Sequence, residues 1–245
     1  MKYLLLILSL KLSLLALTSI KEVKYESGIS IYGQIGYVEL KLEENIDKKT
    51  YKIQATTTSI GLVKFLSSNR TDTFISEGNI KDGVYLPLKF TRITSKADYK
   101  RTRIYIFNYD KKTIFKTEIT DSSQITNTFN PISMTFTEEE KILSEKKTEN
   151  IDFATNDFLS LYLNLISKKL LYGKIPYVDM KEKDKLLYLG ENSFEVHKNH
   201  GKDKYSVLMV PDEKSMFFKQ VTSVGIAFYG DAYIKKISEI SKTIN

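Results

Sequence analysis

Hydrophobic and polar residues alternate with a period of two along most of this chain. Val38, Leu40 and Leu42 share one face of a segment running from Glu22 to Leu42, while Tyr37, Glu39 and Lys41 share the other, the pattern of a strand. After a polar turn at 43–49, Tyr51, Ile53 and Ala55 repeat the alternation, which predicts a hairpin. Lys81-Asp-Gly83 signals another turn, after which Val84, Leu86, Leu88 and Phe90 alternate with Tyr85, Pro87 and Lys89. Gly33 and Gly36 inside the first strand predict a bulge or sharp curvature. Pro87 donates no ladder hydrogen bond and so belongs at an edge or a bulge. A further hairpin is predicted from Arg101 to Tyr109 and Thr113 to Thr120 around Asp110-Lys-Lys112. Ile104 and Ile106 point one way there, and Tyr105, Phe107 and Tyr109 the other, so both faces are expected to be covered. Later strands are predicted at 185–189, 194–198, 204–210, 216–221, 224–229 and 232–237.

One stretch breaks the alternation. Between Asn150 and Gly173 apolar residues recur with helical spacing, predicting a helix over about 155–172. Thr155 or Asn156 can cap it, Asp157 suits the positive end of its dipole, Lys168 and Lys169 suit the negative end, and Gly173 can stop it. Only Ser160, Asn164, Ser167 and the lysines interrupt its apolar circumference, so most of it must be covered; Leu163 and Ile166 should face a sheet and Lys168 water. The stretch 60–66 is too short to assign, and 121–149, polar and poorly periodic, is predicted to be a long loop. No repeat or linker divides the chain. The expectation is a mainly β protein: a curved antiparallel sheet or open barrel packed around one central α-helix, in a single domain over 20–245.

The first nineteen residues have their own pattern. Lys2 precedes an apolar run, and small residues at Ala16, Thr18 and Ser19 suit cleavage, so 1–19 are expected to be a secretory signal peptide. Loss of Lys2 and Lys11 with that segment would lower the net charge from +7 to +5. The chain has no cysteine, hence neither a lipid-bearing N-terminal Cys nor a disulfide. The mature protein is expected to be periplasmic or secreted, without a transmembrane span and not a lipoprotein.

Candidate chemistry is sparse. His197 and His200 could supply two metal ligands, with Glu195 and Asp203 nearby; the plainer reading is two solvated histidines about a turn. Signatures of nucleotide loops, serine hydrolases and zincins are missing, and no catalytic residue or cofactor is assigned. Asp157 with Asn156 could be polar machinery in a cleft, although capping accounts for both. The four arginines, Arg70, Arg92, Arg101 and Arg103, fall on strands expected to be neighbours and are interleaved with Tyr99, Tyr105 and Tyr109. Such a set can bind phosphate or stack on a sugar or base; its plainer reading is a solvated basic face. Nucleic acid is not an expected partner of an exported chain.

Taken in order, Gly33-Gln-Ile-Gly36, Gly61-Leu-Val-Lys-Phe-Leu-Ser-Ser-Asn-Arg70, Gly83-Val-Tyr-Leu-Pro-Leu-Lys-Phe90, Ala154-Thr-Asn-Asp-Phe-Leu-Ser-Leu-Tyr-Leu-Asn164 and Phe228-Tyr-Gly-Asp231 give the chain a pattern that resembles the exported bacterial proteins grouped as domain of unknown function 3108. The resemblance implies a periplasmic, mostly antiparallel β domain and brings no reaction or catalytic residue with it.

Two roles follow as expectations. The first is non-catalytic binding or carriage of a lipid-like or other amphipathic envelope ligand, with Tyr105, Phe107, Tyr109, Phe158, Tyr162 and the four arginines as candidate contacts. The second is an interaction or assembly factor for outer-membrane or cell-surface components, acting through strand edges. A metal-dependent enzyme built on His197 and His200 is the third.

Overall fold

The computed structural model describes residues 17–170, 173–178, 185–190, 192–198, 203–224 and 231–244. The alternating segments form β1 (Thr18–Ile29), β2 (Gly33–Asn45), β3 (Thr50–Ser59), β4 (Thr71–Lys81), β5 (Val84–Ser95), β6 (Tyr99–Asn108), β7 (Thr113–Asn130) and β8 (Thr135–Asp152). The second half gives β9 (Gly173–Lys174), β10 (Lys185–Gly190), β11 (Ser193–Lys198), β12 (Asp203–Val210), β13 (Gln220–Val224) and β14 (Ala232–Ile244). All belong to one 14-stranded sheet, ordered from β8 down to β1 and then from β14 down to β9. Sequential neighbours therefore pair throughout, except where β1 joins β14 in antiparallel register. The sheet is not closed, and β8 and β9 are its edges.

Thr18 and Ser19, at the expected cleavage site, are already paired in β1 with Asn45 and Glu44 of β2. Residues 1–16 of the expected signal segment lie outside the described residues. At the β4–β5 turn, Asp82 and Gly83 both have positive φ, the geometry of a two-residue hairpin. The pairing shifts register between Glu77 and Gly78, and Gly78 lies opposite Pro87, so the proline sits at a bulge where a missing donor is harmless.

Several expectations are corrected. The predicted loop at 121–149 is strand: β7 and β8 pair from Thr113 and Asp152 out to Asn130 and Thr135. In the outer part of this hairpin Gln124, Ile125, Thr126 and Asn127 are exposed in succession, so water bathes both faces and no alternating pattern marks it. The chain's apolar stretch at 60–66 forms α1 (Gly61–Leu66), whose Leu62, Phe65 and Leu66 are exposed. Instead of one helix there are two among the described residues. Ile106 is 43% exposed, so the β6 strand is covered on one face and not on both. The predicted strand at 216–221 starts only at Gln220, because Phe217 and Phe218 are buried in an irregular segment. The one predicted at 224–229 lies, beyond Val224, outside the described residues.

The second helix, α2 (Phe158–Ile166), has nine residues rather than the predicted eighteen or so. Its cap is Asp157, not Thr155 or Asn156. It stops at Ser167 because Lys168 turns left-handed, with φ of 54°. Lys168 N–H then reaches Leu165 O at 2.9 Å and Lys169 N–H reaches Asn164 O at 2.8 Å, a Schellman closure completed well before Gly173.

Two apolar clusters meet on α2. Leu159 and Leu163 pack with Val23, Leu42, Ile53, Phe90 and Tyr105 from the first half of the sheet. Leu161 and Leu165 pack with Leu186, Phe194, Val196 and Phe218 from the second half. Tyr162 and Ile166 touch both clusters. The polar positions are inverted relative to expectation: Ser160 and Asn164 are buried, whereas Phe158 is 56% exposed.

Candidate functional site

A buried polar anchor fixes α2 to the sheet. Asp157 has no exposed surface. Its carboxylate accepts hydrogen bonds from Ser76 Oγ at 2.6 Å, Leu159 N–H at 2.7 Å and Ser160 N–H at 3.0 Å. Ser160 Oγ in turn accepts the Asp157 N–H, completing a capping box. Tyr51 and Ser76 hydroxyls lie 2.9 Å apart. Burial pushes the Asp157 carboxyl up to about 6, and the donors around it limit the rise. A group sealed in this way meets no substrate, so capping is its role.

Seven residues further on, Asn164 holds β5. β6 begins to pair with β5 only at Lys89, leaving the backbone of Tyr85 without a strand on that side. Asn164 accepts Tyr85 N–H at 2.7 Å and donates to Tyr85 O at 3.0 Å, standing in for the missing strand. Tyr109 does the same for Pro87, donating its hydroxyl to the carbonyl at 3.0 Å.

The face that carries α2 continues beyond it as a polar surface. The rung containing Ser76, Phe90, Tyr105 and Lys116 lies beneath the helix start. Two residues along each strand, the next rung is Phe74, Arg92, Arg103, Glu118 and Lys147. The one after that is Asp72, Thr94, Arg101 and Thr120. Side chains two apart share a face, so all three rows point to the α2 side. The exposed Phe158 ring lies 6.2 Å from that of Phe74, and the Arg92 guanidinium stands 5.3 Å over Phe74. An aromatic ledge thus borders a row of arginines.

Two carboxylates organise the row. Arg70 grips Asp72 with both prongs, at 2.7 and 3.1 Å, while Thr94 donates at 2.6 Å and Arg92 Nη2 lies 4.0 Å away. Burial alone would raise the Asp72 carboxyl; hydrogen bonds from Arg70 and Thr94 and the charges of Arg70 and Arg92 outweigh it and hold the group below the usual range. Glu118 takes a hydrogen bond from Arg103 Nε, with Arg101 Nε 3.6 Å away. That Arg103 bond, opposed by partial burial and aided by the Arg103 and Arg101 charges, keeps it low as well. Beside Glu118 an open groove of about 530 Å³ is lined by Lys116, Lys147, Thr148 and Glu149.

The sequence singled out all four arginines, and the strands bring them together. Tyr105 and Phe107, also singled out, are buried core residues. Tyr109 packs edge-on against Phe153 at 5.3 Å, and Tyr162 lies 3.3 Å from the Tyr25 hydroxyl and edge-on to Phe218. Of the five aromatic candidates, Phe158 is the one turned to solvent. Sequence reasoning missed Asp72, Ser76, Glu118 and Asn164. The parity of Arg92 with Phe90, and of Arg103 with Tyr105, is the signal that would have placed charge on the α2 face.

His197 sits in β11, where Glu195 contacts its ring through one carboxylate oxygen and Lys204 Nζ through the other, the latter at 2.6 Å. His200 lies outside the described residues. No group of three or more potential metal ligands is gathered among the described residues.

Fold and surface together define a mainly β protein with one open antiparallel sheet and a polar continuation of its helix-bearing face. The chain belongs to the family described as Protein of unknown function (DUF3108), whose profile matches residues 22–224. No curated protein matches it. Among the described residues no helix is long and apolar enough to cross a membrane.

Proposed function

We propose that this is an exported, periplasmic, non-catalytic protein that binds or carries a lipid-like or other amphipathic envelope ligand. The sheet curves about α2 as an open barrel, and the ligand lies against the open part of that face. One observation carries the reading: Phe158, exposed, sits with Phe74 at the border between the packed core and the arginine rows. Apolar area next to charge is the surface an amphiphile complements. Because Leu159, Leu163 and Leu165 are packed tight against the sheet, the ligand is placed on an open face and not in an enclosed cavity. Native mass spectrometry and lipid extraction of protein purified from its own host test this. A co-purifying amphiphile, lost in Phe158→Asp, is the expected result; protein that is free of ligand and takes up no added amphiphile overturns it.

A second reading, an interaction or assembly factor for outer-membrane or cell-surface components, is favoured by the β7–β8 hairpin. Its outer strand is a sheet edge, and Ile132 and Met134 near its tip are exposed. Edges of this kind accept partner strands. Crosslinking from Met134→Cys in intact cells tests it, with capture of an envelope protein expected and no capture counting against it.

A further inference from the structure

We propose that the β8 edge of the sheet is a docking site for a second copy of this chain, joined through β8 in an antiparallel pair centred on Leu143. The proposal is independent of the amphiphile reading, and it gives the β8 edge a partner other than the envelope protein of the second reading.

Neither bulge nor proline blunts this edge. β8 pairs with β7 from Thr135 to Asp152 without a register shift, it contains no proline, and Lys141 to Asn150 are all exposed. Bulges, prolines and coverings are the usual protections of an edge. The ladder between β6 and β7 ends at Tyr99 and Ser122, so the outer part of the hairpin runs on past the sheet as two strands. A two-stranded ribbon is marginal in water, and a third strand laid along β8 supports it.

Backbone parity decides which registers are open. Ser123 N–H donates to Asp98 O at 2.9 Å, so Ser123 turns its backbone groups toward β6, while Ser122 and Gln124 turn theirs toward β8. Their partners, Leu143 and Lys141, are thereby bonded to β7, whereas Ile142, Ser144 and Lys146 point N–H and C=O out of the edge. A second copy must match outward-pointing residues with one another. That holds when the two-fold axis passes through a residue and fails when it passes between two.

Charge then selects the residue. With the axis at Leu143, Lys141 meets Glu145 of the second copy and Glu145 meets its Lys141. In the same register Glu140 comes opposite Lys146 and Glu139 opposite Lys147, and no like charges face each other from Thr135 to Ile151. An axis at Ile142 sets Glu139 against Glu145, and one at Ser144 sets Lys141 against Lys147. Facing like charges destabilise a strand pair about as much as opposite charges stabilise it. The run Glu-Glu-Lys-Ile-Leu-Ser-Glu-Lys-Lys over 139–147 is thus its own complement about its central residue. Glu145 and Lys147 already touch within the chain at 3.1 Å, both largely in water, and the pairing extends that contact to Lys141 of the second copy. Leu143 and Ile142, 43% and 72% exposed, gain apolar neighbours as well: Leu143 faces its own counterpart, and Ile142 lies diagonal to its own. Strand bonds and exposed charges make a weak, reversible dimer, not an obligate one.

Sedimentation velocity of the mature chain over a roughly hundredfold range of concentration should show that dimer forming reversibly. Lys141→Glu and Glu145→Lys should each weaken it at least about tenfold, since either sets like charges face to face at both symmetry-related places. Mixed in equal amounts, the two variants should dimerise as well as the parent, because one then offers two carboxylates to the two ammonium groups of the other. A loss of folding could not be rescued by mixing. The chain has no cysteine, so a single introduced thiol reports the register. Leu143→Cys should oxidise to a covalent dimer, because facing Cα atoms in a pair of this type lie about 4.5 Å apart, within disulfide reach. Ile142→Cys, set diagonally at about 7–8 Å, should not. A parent that is monomeric at every concentration overturns the proposal, as does a dimer that both charge variants leave intact and Leu143→Cys fails to trap. Capture of an envelope protein by Leu143→Cys in intact cells, in place of a second copy, also overturns it and gives the edge to the second reading.

Discussion

The Asn164 side chain closes a two-bond ring with the backbone of Tyr85, accepting its N–H at 2.7 Å and donating to its carbonyl at 3.0 Å. Both residues are buried, so removing the amide strands two backbone groups away from water. Asn164→Ala should cost about 2–4 kcal/mol and lower Tm by roughly 6–12 °C. Hydrogen exchange checks the mechanism, since the Tyr85 amide should lose protection more than the amides of β1 or β2.

Leu163 and Phe158 lie on the same short helix but in opposite environments, the first with no exposed surface and the second half in water. Leu163→Asp buries an unpaired carboxylate among Ile53, Phe90 and Tyr105, at a cost of several kcal/mol against the roughly 5–15 kcal/mol that holds a domain together. The variant should fail to accumulate, whereas Phe158→Asp should accumulate normally. Equal accumulation of the two would show that α2 does not organise the sheet.

Asp157 gives stability a pH dependence of definite sign. Its folded pKa, raised to about 6, exceeds the value near 3.9 of an unfolded chain. The native state therefore holds the proton more tightly, and this contribution is full below about pH 4 and lost as pH rises through 6. The difference in stability between the parent and Asp157→Asn, which cannot ionise, should shrink or reverse by about 2 kcal/mol from pH 4 to pH 7. Chemical denaturation at both pH values measures it. Comparing the pair cancels the opposite slope contributed by Asp72 and Glu118, whose pKa values are lowered.

Gly36 and Gly33 differ in what they tolerate. A Cβ at Gly36 would fall 2.2 Å from the Thr58 carbonyl oxygen, a backbone atom that cannot turn aside, whereas at Gly33 there is open space and a φ of 70°. Gly36→Ala should cost about 1–3 kcal/mol by forcing β2 and β3 apart. Gly33→Asn should be nearly neutral, because Asn adopts the left-handed region readily. Thermal melts of the two separate close approach from backbone conformation.

The outer part of the β7–β8 hairpin leaves Ile125, Ile132 and Met134 in water. Replacing residues 125–140 by an Asn-Gly turn joins Gln124 to Lys141, which already face each other. Ile125, Ile132 and Met134 are exposed, so their loss should move Tm by no more than about 2 °C. The same deletion should abolish any envelope crosslinks made through the hairpin.

Period-two alternation determined the hairpins of β2 to β6 by itself, because each strand there has one face against the core and one toward water. The run Phe158 to Ile166 likewise announced a helix. The order of five weak motifs indicated the family. What alternation could not mark was any strand without a buried face, and so the outer β7–β8 hairpin passed for a loop. The end of α2 also escaped, since no property of Lys168 advertises a left-handed residue; the closure depends on Leu165 and Asn164 carbonyls being free to accept. Only the tertiary structure decided what the polar residues do. Ser160 and Asn164 looked like a solvent face, yet they are buried because Asp157 and the unpaired backbone of Tyr85 need partners there. The four arginines were visible in the sequence as a count, and strand register made them neighbours: Arg92 meets Arg103 directly because the β5–β6 turn fixes that pairing, and the shared parity with Phe90 and Tyr105 turns both onto the face that α2 leaves uncovered.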